Sequence, residues 1–370
     1  MPQVSCRHIV DVVTRRVFST SSLLSSTSSS ASYPLIRSVL YVPASNSRAL
    51  TKLDSILRSG KAEERPDAIM YDLEDGVMPD KKNEARIALH EYLMHMKDVD
   101  KETSSVTKNI NKGLNLLRIN RYDTPWFNED ASLAYDMSTI GLIDGIVLPK
   151  INHGKDVDDV SCHLLLQSRL NNVVSDTTTS ISMANTTTTA TTASPIPLWA
   201  MIETPRAILS LNEITSRTDV HGLILGTNDL GKDIQLRPSV GPIARSGLVT
   251  SMQYTILAAR AYNKIVIDGV YNDIHDENGF KNECQQAKAW GMDGKTLIHP
   301  KQIAWANDIL GPSDEEIDYA HSVVRCWEDA VNNMSSFTGV AVLDGKIMIE
   351  QLHVDIARRI LRQAEMIKNQ

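Results

Sequence analysis

Eight short runs of aliphatic and β-branched residues, with helical patterns between them, constrain this chain more than any other feature. They are Ser38–Val42, Ala68–Asp72, Leu114–Ile119, Gly145–Leu148, Leu198–Ile202, Gly222–Leu225, Ile265–Asp268 and Thr296–Ile298. Most are continuously apolar, the pattern of strands buried on both faces. Between them, Ser47–Leu53, Lys82–Met96 and Phe280–Trp290 carry apolar residues at helical spacing. Alternating strands and helices predict an α/β fold with a parallel sheet. Eight such units predict a closed (β/α)8 TIM barrel, whose chemistry lies at the carboxyl ends of the strands.

The barrel is expected over residues 37–311. After it, Ser313-Asp314-Glu315-Glu316 is a capping box that opens a long helix. Asp344-Gly345, between Val340–Leu343 and Lys346–Ile349, predicts a type I′ hairpin, and a last helix follows over about Glu350–Ile367. Residues 312–370 therefore read as a C-terminal helix–hairpin–helix cap or an oligomer arm. At the other end, Arg7, Arg15 and Arg16 precede a serine-rich tract from Ser19 to Ser32, with Asp11 as the single acid. An Arg-rich, Ser-rich, acid-poor start is the composition of an organelle transit peptide, here residues 1–36. Arginines ahead of the serines favour the mitochondrial matrix, with the plastid as the alternative. Two low-complexity stretches, Asp98–Lys112 and the Thr-rich tract 175–195, predict loops. Each falls between a helix and the next strand, at the amino-terminal rim.

Composition excludes several function classes. Lys and Arg total 38 against 45 Asp and Glu, a net charge of −7, which argues against binding nucleic acid. Cys6, Cys162, Cys284 and Cys326 form no CxxC or CxxH pair, so neither a disulfide framework nor a structural zinc is expected. No apolar run approaches the roughly 20 residues a membrane-spanning helix needs.

The strand ends are polar. Asn46 and Arg48 follow the first, Asp72-Leu73-Glu74-Asp75-Gly76 closes the second, and Arg118 and Asn120 close the third. Lys150 follows the fourth, Glu203 the fifth and Asp229 the sixth; Asp268 ends the seventh and His299 the eighth. Glu203 and Asp229, on neighbouring strands, could offer two oxygens to one divalent ion and leave its other positions to water and substrate, as Mg²⁺ is usually held. The same pair could equally be helix N-caps. Arg118 suits a substrate carboxylate or a developing oxyanion, or an ion pair with Glu74 or Asp75. Lys150 has the place of a Schiff-base lysine, but a carboxylate-rich rim would raise its pKa. His299 precedes a proline and fits a turn. Neither the Gly76 nor the Gly226 stretch matches a GxGxxG or Walker A phosphate loop.

Seven motifs stand in order: Arg37-Ser-Val-Leu-Tyr-Val-Pro-Ala-Ser-Asn46, Tyr71-Asp-Leu-Glu-Asp-Gly-Val77, Lys82-Asn-Glu-Ala-Arg86, Leu117-Arg-Ile-Asn120, Val147-Leu-Pro-Lys150, Ile202-Glu-Thr204 and Gly294-Lys-Thr-Leu-Ile-His-Pro300. With them the chain resembles the citrate lyase beta subunit-like branch of the HpcH/HpaI aldolase superfamily, over about residues 37–365. The resemblance implies a homotrimer of barrels that bind Mg²⁺ and cleave or form a C–C bond in a short-chain 3-hydroxyacyl-CoA. Citramalyl-CoA would give acetyl-CoA and pyruvate, and malyl-CoA would give acetyl-CoA and glyoxylate. By motif, Glu203 and Asp229 stand at the metal ligands, with Glu74 and Asp75 in support. Arg118 stands at the arginine that holds the acyl oxygen or carboxylate. Tyr41, Arg48, Ile267 and Asp268 stand at substrate or CoA contacts.

The resemblance also implies a general acid/base near the C-terminus, presented to a neighbouring subunit. That position holds Glu350 in place of the usual aspartate, one residue later after Gly345. Pro43-Ala44-Ser45-Asn46 replaces the usual Pro-Gly-Asn, and Asn228 stands where a glutamate is usual. Three alternatives remain: a malyl-CoA thioesterase or malate synthase, an aldolase for free 2-keto acids, and a barrel that binds CoA without catalysis. The free-acid branch typically has a histidine where this chain has Asp75.

Overall fold

The computed structural model describes residues 35–58, 61–103, 113–178, 196–237, 245–333 and 337–369. Residues 1–34 of the expected transit segment, most of the Thr-rich tract and residues 104–112 lie outside the described residues, whereas Ile36, counted in that segment from sequence, is buried in the inner core of the barrel. Eight parallel strands close into a barrel in sequence order: β1 (Ser38–Pro43), β2 (Ala68–Asp72), β3 (Leu114–Arg118), β4 (Gly145–Leu148), β5 (Leu198–Ile202), β6 (Val220–Leu225), β7 (Ile265–Asp268) and β8 (Gly294–Leu297). The last strand begins two residues before the expected Thr296. Lys295 looks unfit for a strand in sequence, but it is fully buried, with its ammonium on Asp268 (2.8 Å) and Glu283 (2.9 Å). A buried charge with two partners is tolerated where a bare one is not.

Around the barrel run α1 (Ser47–Arg58), α2 (Lys82–Thr103), α3 (Phe127–Thr139), α4 (Gly154–Thr178), the short α5 (Pro205–Leu209) and α6 (Leu211–Thr215), α7 (Thr227–Asp233), α8 (Val249–Ala261), α9 (Glu277–Trp290) and α10 (Gln302–Leu310). The longer helices turn an apolar stripe inward. Leu50, Leu53 and Ile56 are the buried residues of α1, and Phe280, Cys284 and Ala287 those of α9. Helices α2 and α4 run further than expected. The first takes in Asp98–Thr103 and the second Ser175–Thr178, both read from sequence as loop. Neither stretch contains a glycine or proline to end the preceding helix.

Alternation along each strand sorts the side chains into two cores. Val39, Met70, Leu116, Val147, Trp199, Met201, Ile224 and Ile267 belong to the cluster inside the barrel. Leu40, Ile69, Leu117, Ile146, Ala200, Leu223 and Val266 face the helices. Removing a buried leucine such as Leu117 typically costs about 2–5 kcal/mol.

The C-terminal unit follows the sequence reading closely. In α11 (Asp314–Asn333) the capping box is formed: Glu316 N–H donates to Ser313 Oγ (3.2 Å) and Ser313 N–H to Glu316 Oε2 (2.8 Å). Strands β9 (Ala341–Leu343) and β10 (Ile347–Ile349) make an antiparallel hairpin. Asp344 and Gly345 have φ of 51° and 67°, as a type I′ turn requires, and Lys346 N–H donates to the Leu343 carbonyl (3.0 Å). The ladder pairs Leu343 with Ile347, so Lys346 belongs to the turn. Helix α12 (Gln351–Lys368) packs against α11 over a separate apolar cluster that includes Val323, Ala341, Ile349, Val354 and Ala357. Lys288 of α9 pins this unit to the barrel through Glu316 (2.6 Å) and the Gly311 carbonyl (2.8 Å).

Candidate active site

The carboxyl ends of β1, β2, β3 and β5 turn Tyr41, Asp72, Arg118 and the residue after β5, Glu203, to the same side as the inner core. Register decides the central contact. Asp72 and Arg118 are paired across β2 and β3, so both point inward side by side. Arg118 Nε donates to Asp72 Oδ1 (2.8 Å) and Nη2 to Oδ2 (2.6 Å), a bidentate fork. The remaining nitrogen, Nη1, lies 3.2 Å from Glu74 Oε2 and 3.7 Å from the Met201 sulfur. The guanidinium sits 5.0 Å from the centre of the Tyr41 ring, a cation–π arrangement. Of the two partners read for Arg118 from sequence, Glu74 is present and Asp75 is not. The principal partner is Asp72, which the sequence reading did not single out.

Asp75 instead meets Lys150, whose ammonium lies 3.0 Å from its carboxylate and 2.5 Å from Glu74 Oε1. These two carboxylates outweigh the effect of partial burial and raise the Lys150 pKa well above the ordinary lysine value. A Schiff-base lysine needs the opposite. Burial raises the Glu74 carboxyl against the pull of Arg118 and Lys150. Lys150 itself has a left-handed φ of 51°, and its backbone N–H donates to Glu203 Oε1 (2.6 Å).

Glu203 is 2% exposed. Burial pushes its carboxyl up to about 7, against Arg118 and the Lys150 N–H; the charges of Glu74 and Asp229 push in the same direction as burial. Its side chain lies across Gly226, where a Cβ would come within 2.4 Å of Glu203 Cβ, so the residue after β6 must be glycine. Asp229 stands in the first turn of α7 and accepts from Lys232 Nζ (2.8 Å). Neither carboxylate is a helix N-cap: Thr204 caps α5 and Gly226 precedes α7. Glu203 and Asp229 instead line one open cavity of ≈ 690 Å³ with Arg121, Lys150, Asn152 and Arg206. Among the described residues, no three His, Cys, Asp or Glu side chains converge as a metal cage. The donor set is two carboxylates lining one open cavity, Glu203 buried and Asp229 half-buried. That arrangement fits a hard divalent cation with several open positions.

Other sequence candidates lie elsewhere. Arg48 is exposed in the first turn of α1, whose N-terminus is held by Asn46 Oδ1 accepting from Ala49 N–H (3.1 Å). Ile267 faces the inner core and is fully buried. Asp268, next in the strand, faces the helix layer. Its carboxylate is enclosed by Lys295 (2.8 Å) and Arg245 (2.5 Å), so neither side chain reaches the rim cavity. Alternation from Ile267 would have predicted this outward turn. His299 is a turn residue, accepting from Lys301 N–H at Nδ1 (3.1 Å). Asn228 forms a reciprocal amide pair with Asn272 (3.1 and 2.9 Å). Glu350 is half-buried at the start of α12, where its N–H donates to His353 Nδ1 (3.0 Å). It belongs to the C-terminal unit and not to this chain's own rim.

Comparison with known proteins identifies the family and the fold. The chain is 35% identical over 333 residues to a (3S)-malyl-CoA thioesterase of Cereibacter sphaeroides, covering 90% of this chain and 95% of the relative. It is 29% identical to the citrate lyase subunit beta of Escherichia coli, covering 89% and 93% of the two chains. Among solved structures it superposes on a citrate lyase from Burkholderia xenovorans with a TM-score of 0.67 at 18% identity, covering 90% and 92%. It also matches the CitE protein of Mycobacterium tuberculosis in complex with magnesium, acetoacetate and coenzyme A, with a TM-score of 0.59 at 22% identity, covering 89% and 97%. The family pattern of HpcH/HpaI aldolase/citrate lyase matches residues 37–300. With that span matched, and with a curated relative at this identity along nearly its whole length, the chain belongs to the HpcH/HpaI aldolase/citrate lyase family.

Proposed function

We propose that this protein is a Mg²⁺-dependent lyase that splits a C–C bond in a short 3-hydroxyacyl-CoA bearing a carboxylate, of the malyl-CoA or citramalyl-CoA class. The observation that carries this reading is the Glu203–Asp229 carboxylate pair opening on the same rim as the Asp72-held Arg118. The magnesium and coenzyme A named for the M. tuberculosis CitE complex and the malyl-CoA named for the C. sphaeroides relative support it.

Glu203 and Asp229 would hold the ion. When bound, magnesium supplies fixed positive charge against the negative charge that develops on substrate oxygens. Arg118 contributes the same from the protein side. Its Nε and Nη2 are committed to Asp72, and Nη1, which also pairs with Glu74, is the nitrogen that would meet a carboxylate or thioester oxygen. A base takes the hydroxyl proton, the C–C bond breaks, and its electron pair passes to the acetyl-CoA enolate while the oxo acid forms its carbonyl. The enolate then takes up a proton. We assign the base to Glu350 of an adjoining copy in a homotrimer, as the family resemblance implies; Glu350 opens α12 in the C-terminal unit. Residues 1 to about 32, ahead of the buried Ile36, are proposed to carry the enzyme into the mitochondrial matrix.

A second reading is thioester hydrolysis, favoured by the name of the 35%-identical relative. One product assay separates the two. The pure protein is incubated with malyl-CoA and with citramalyl-CoA, with and without Mg²⁺. Acetyl-CoA plus glyoxylate or pyruvate is the expected result. Free CoA plus the intact hydroxy acid would replace the lyase by the thioesterase, and no turnover of any thioester would overturn both.

A further inference from the structure

The Lys82-x-x-x-Arg86 motif has no part in the chemistry above, yet its lysine is among the most enclosed charges of the molecule. Lys82 is 5% exposed at the start of α2. Its ammonium donates to the Leu73 carbonyl (2.7 Å), the Glu74 carbonyl (2.7 Å) and Asn120 Oδ1 (2.8 Å). The Trp126 ring lies 5.2 Å from the same nitrogen. Three acceptors from two strand ends thus converge on one atom. Only an ammonium brings three donors and no lone pair to such a point; water and a side-chain amide bring two.

Arg86, one turn along the same helix face, completes the arrangement. It pairs with the buried Asp130 (2.9 Å), whose other oxygen accepts from the Asn120 backbone (2.9 Å) and side-chain amide (2.6 Å). Asn120 Nδ2 also donates to the Leu73 carbonyl (2.8 Å). Both carbonyls of the Leu73–Glu74 segment are therefore turned outward, toward Lys82, and the Glu74 side chain is directed to the rim. There Glu74 bridges Arg118 and Lys150, and Lys150 N–H reaches Glu203.

We infer that Lys82 is a positioning residue: its ammonium clamps the loop after β2 and thereby sets Glu74, and through it Arg118 and Lys150, in the working geometry. It touches none of the reacting groups. The kinetic consequence rests on the lyase reading; the structural consequence does not.

The test has two arms. Every amide from Leu73 to Val77 has an acceptor in this structure: Arg118 O, Asp72 Oδ1, Glu74 Oε2, Asp72 Oδ2 and Glu74 O in turn. In Lys82→Ala, hydrogen exchange over residues 72–77 should accelerate about 10–100-fold, the scale of losing charge-assisted bonds, while β1 and β5 keep their protection. A cavity of ≈ 400 Å³ opens beside Lys82, so added ethylammonium should restore protection and tetramethylammonium, which has no N–H, should not. Unchanged exchange in a folded variant, or equal effects of the two cations, would overturn the clamp. If Lys82→Ala does not fold, Lys82→Gln, with two donors, replaces it and should show a smaller acceleration. In the kinetic arm, kcat should fall about 10–100-fold with KM within about threefold, and ethylammonium should recover kcat. A wild-type protein without turnover would fail the lyase reading and leave the exchange arm to decide the clamp.

Discussion

Replacing Asp72 tests the centre of the site most directly. Asp72 is 2% exposed and accepts four bonds: two from the Arg118 fork and one each from the Glu74 and Gly76 N–H groups (both 2.8 Å). Asp72→Asn removes the charge opposite a buried guanidinium and turns one acceptor into a donor that faces donors. Stranding one member of a buried ion pair costs about 3–5 kcal/mol. Glu74, 3.2 Å from Nη1, offsets part of this, so about 3 kcal/mol is expected. For a chain of this size that is a fall in Tm of roughly 4 °C. Arg118→Met alone should cost a similar amount, because it leaves Asp72 beside Glu74 with no cation between them. The double variant strands neither charge and should lose much less than the sum. A thermal or denaturant double-mutant cycle should therefore give a coupling of about 2 kcal/mol or more. If the two losses add within about 0.5 kcal/mol, the fork contributes no energy of its own and the reasoning fails.

Glu203→Gln and Asp229→Asn should each abolish Mg²⁺-dependent turnover in a folded protein; calorimetric Mg²⁺ binding that is unchanged in both variants would remove them as ligands. Glu350→Ala should be nearly inactive, and mixing it with Glu203→Gln under subunit exchange should restore part of the activity; full activity in Glu350→Ala alone would exclude the residue. Burial acts to raise the Asp268 carboxyl, but the Lys295 and Arg245 charges outweigh it and hold it below the ordinary aspartate value. Its contribution to stability is therefore complete above the unfolded value of about 3.9 and lost as pH falls through the folded one. The Tm gap between wild type and Asp268→Asn should shrink from pH 6 to pH 3, and a gap independent of pH would contradict this. Residues 1 to about 32, fused to a fluorescent reporter, should send it to mitochondria; a diffuse cytosolic signal would sink the targeting proposal.

Much of the architecture was legible because its signals are local. Strands buried on both faces read as apolar runs, Ser313 and Glu316 satisfy each other within one turn, and Asp344-Gly345 supplies the two positive φ angles of its turn. The limits of local reading appear where a distant partner changes a residue's meaning. Lys295 looks like a strand breaker until Asp268 and Glu283 neutralise it.

The site divides along the same line. Which residues stand at strand ends was determined by the order of the chain, so Glu203, Asp229 and Arg118 could be picked out unaided. Which of them touch was decided by barrel closure. The register that sets Asp72 beside Arg118, 46 residues apart, depends on how β2 and β3 slide past each other. The side-chain alternation that turns Asp268 away from the rim depends on which face each strand presents to the centre. Hydrophobic pattern and capping act over a few residues, whereas ion pairs across the rim exist only once the sheet has closed and removed their charges from water.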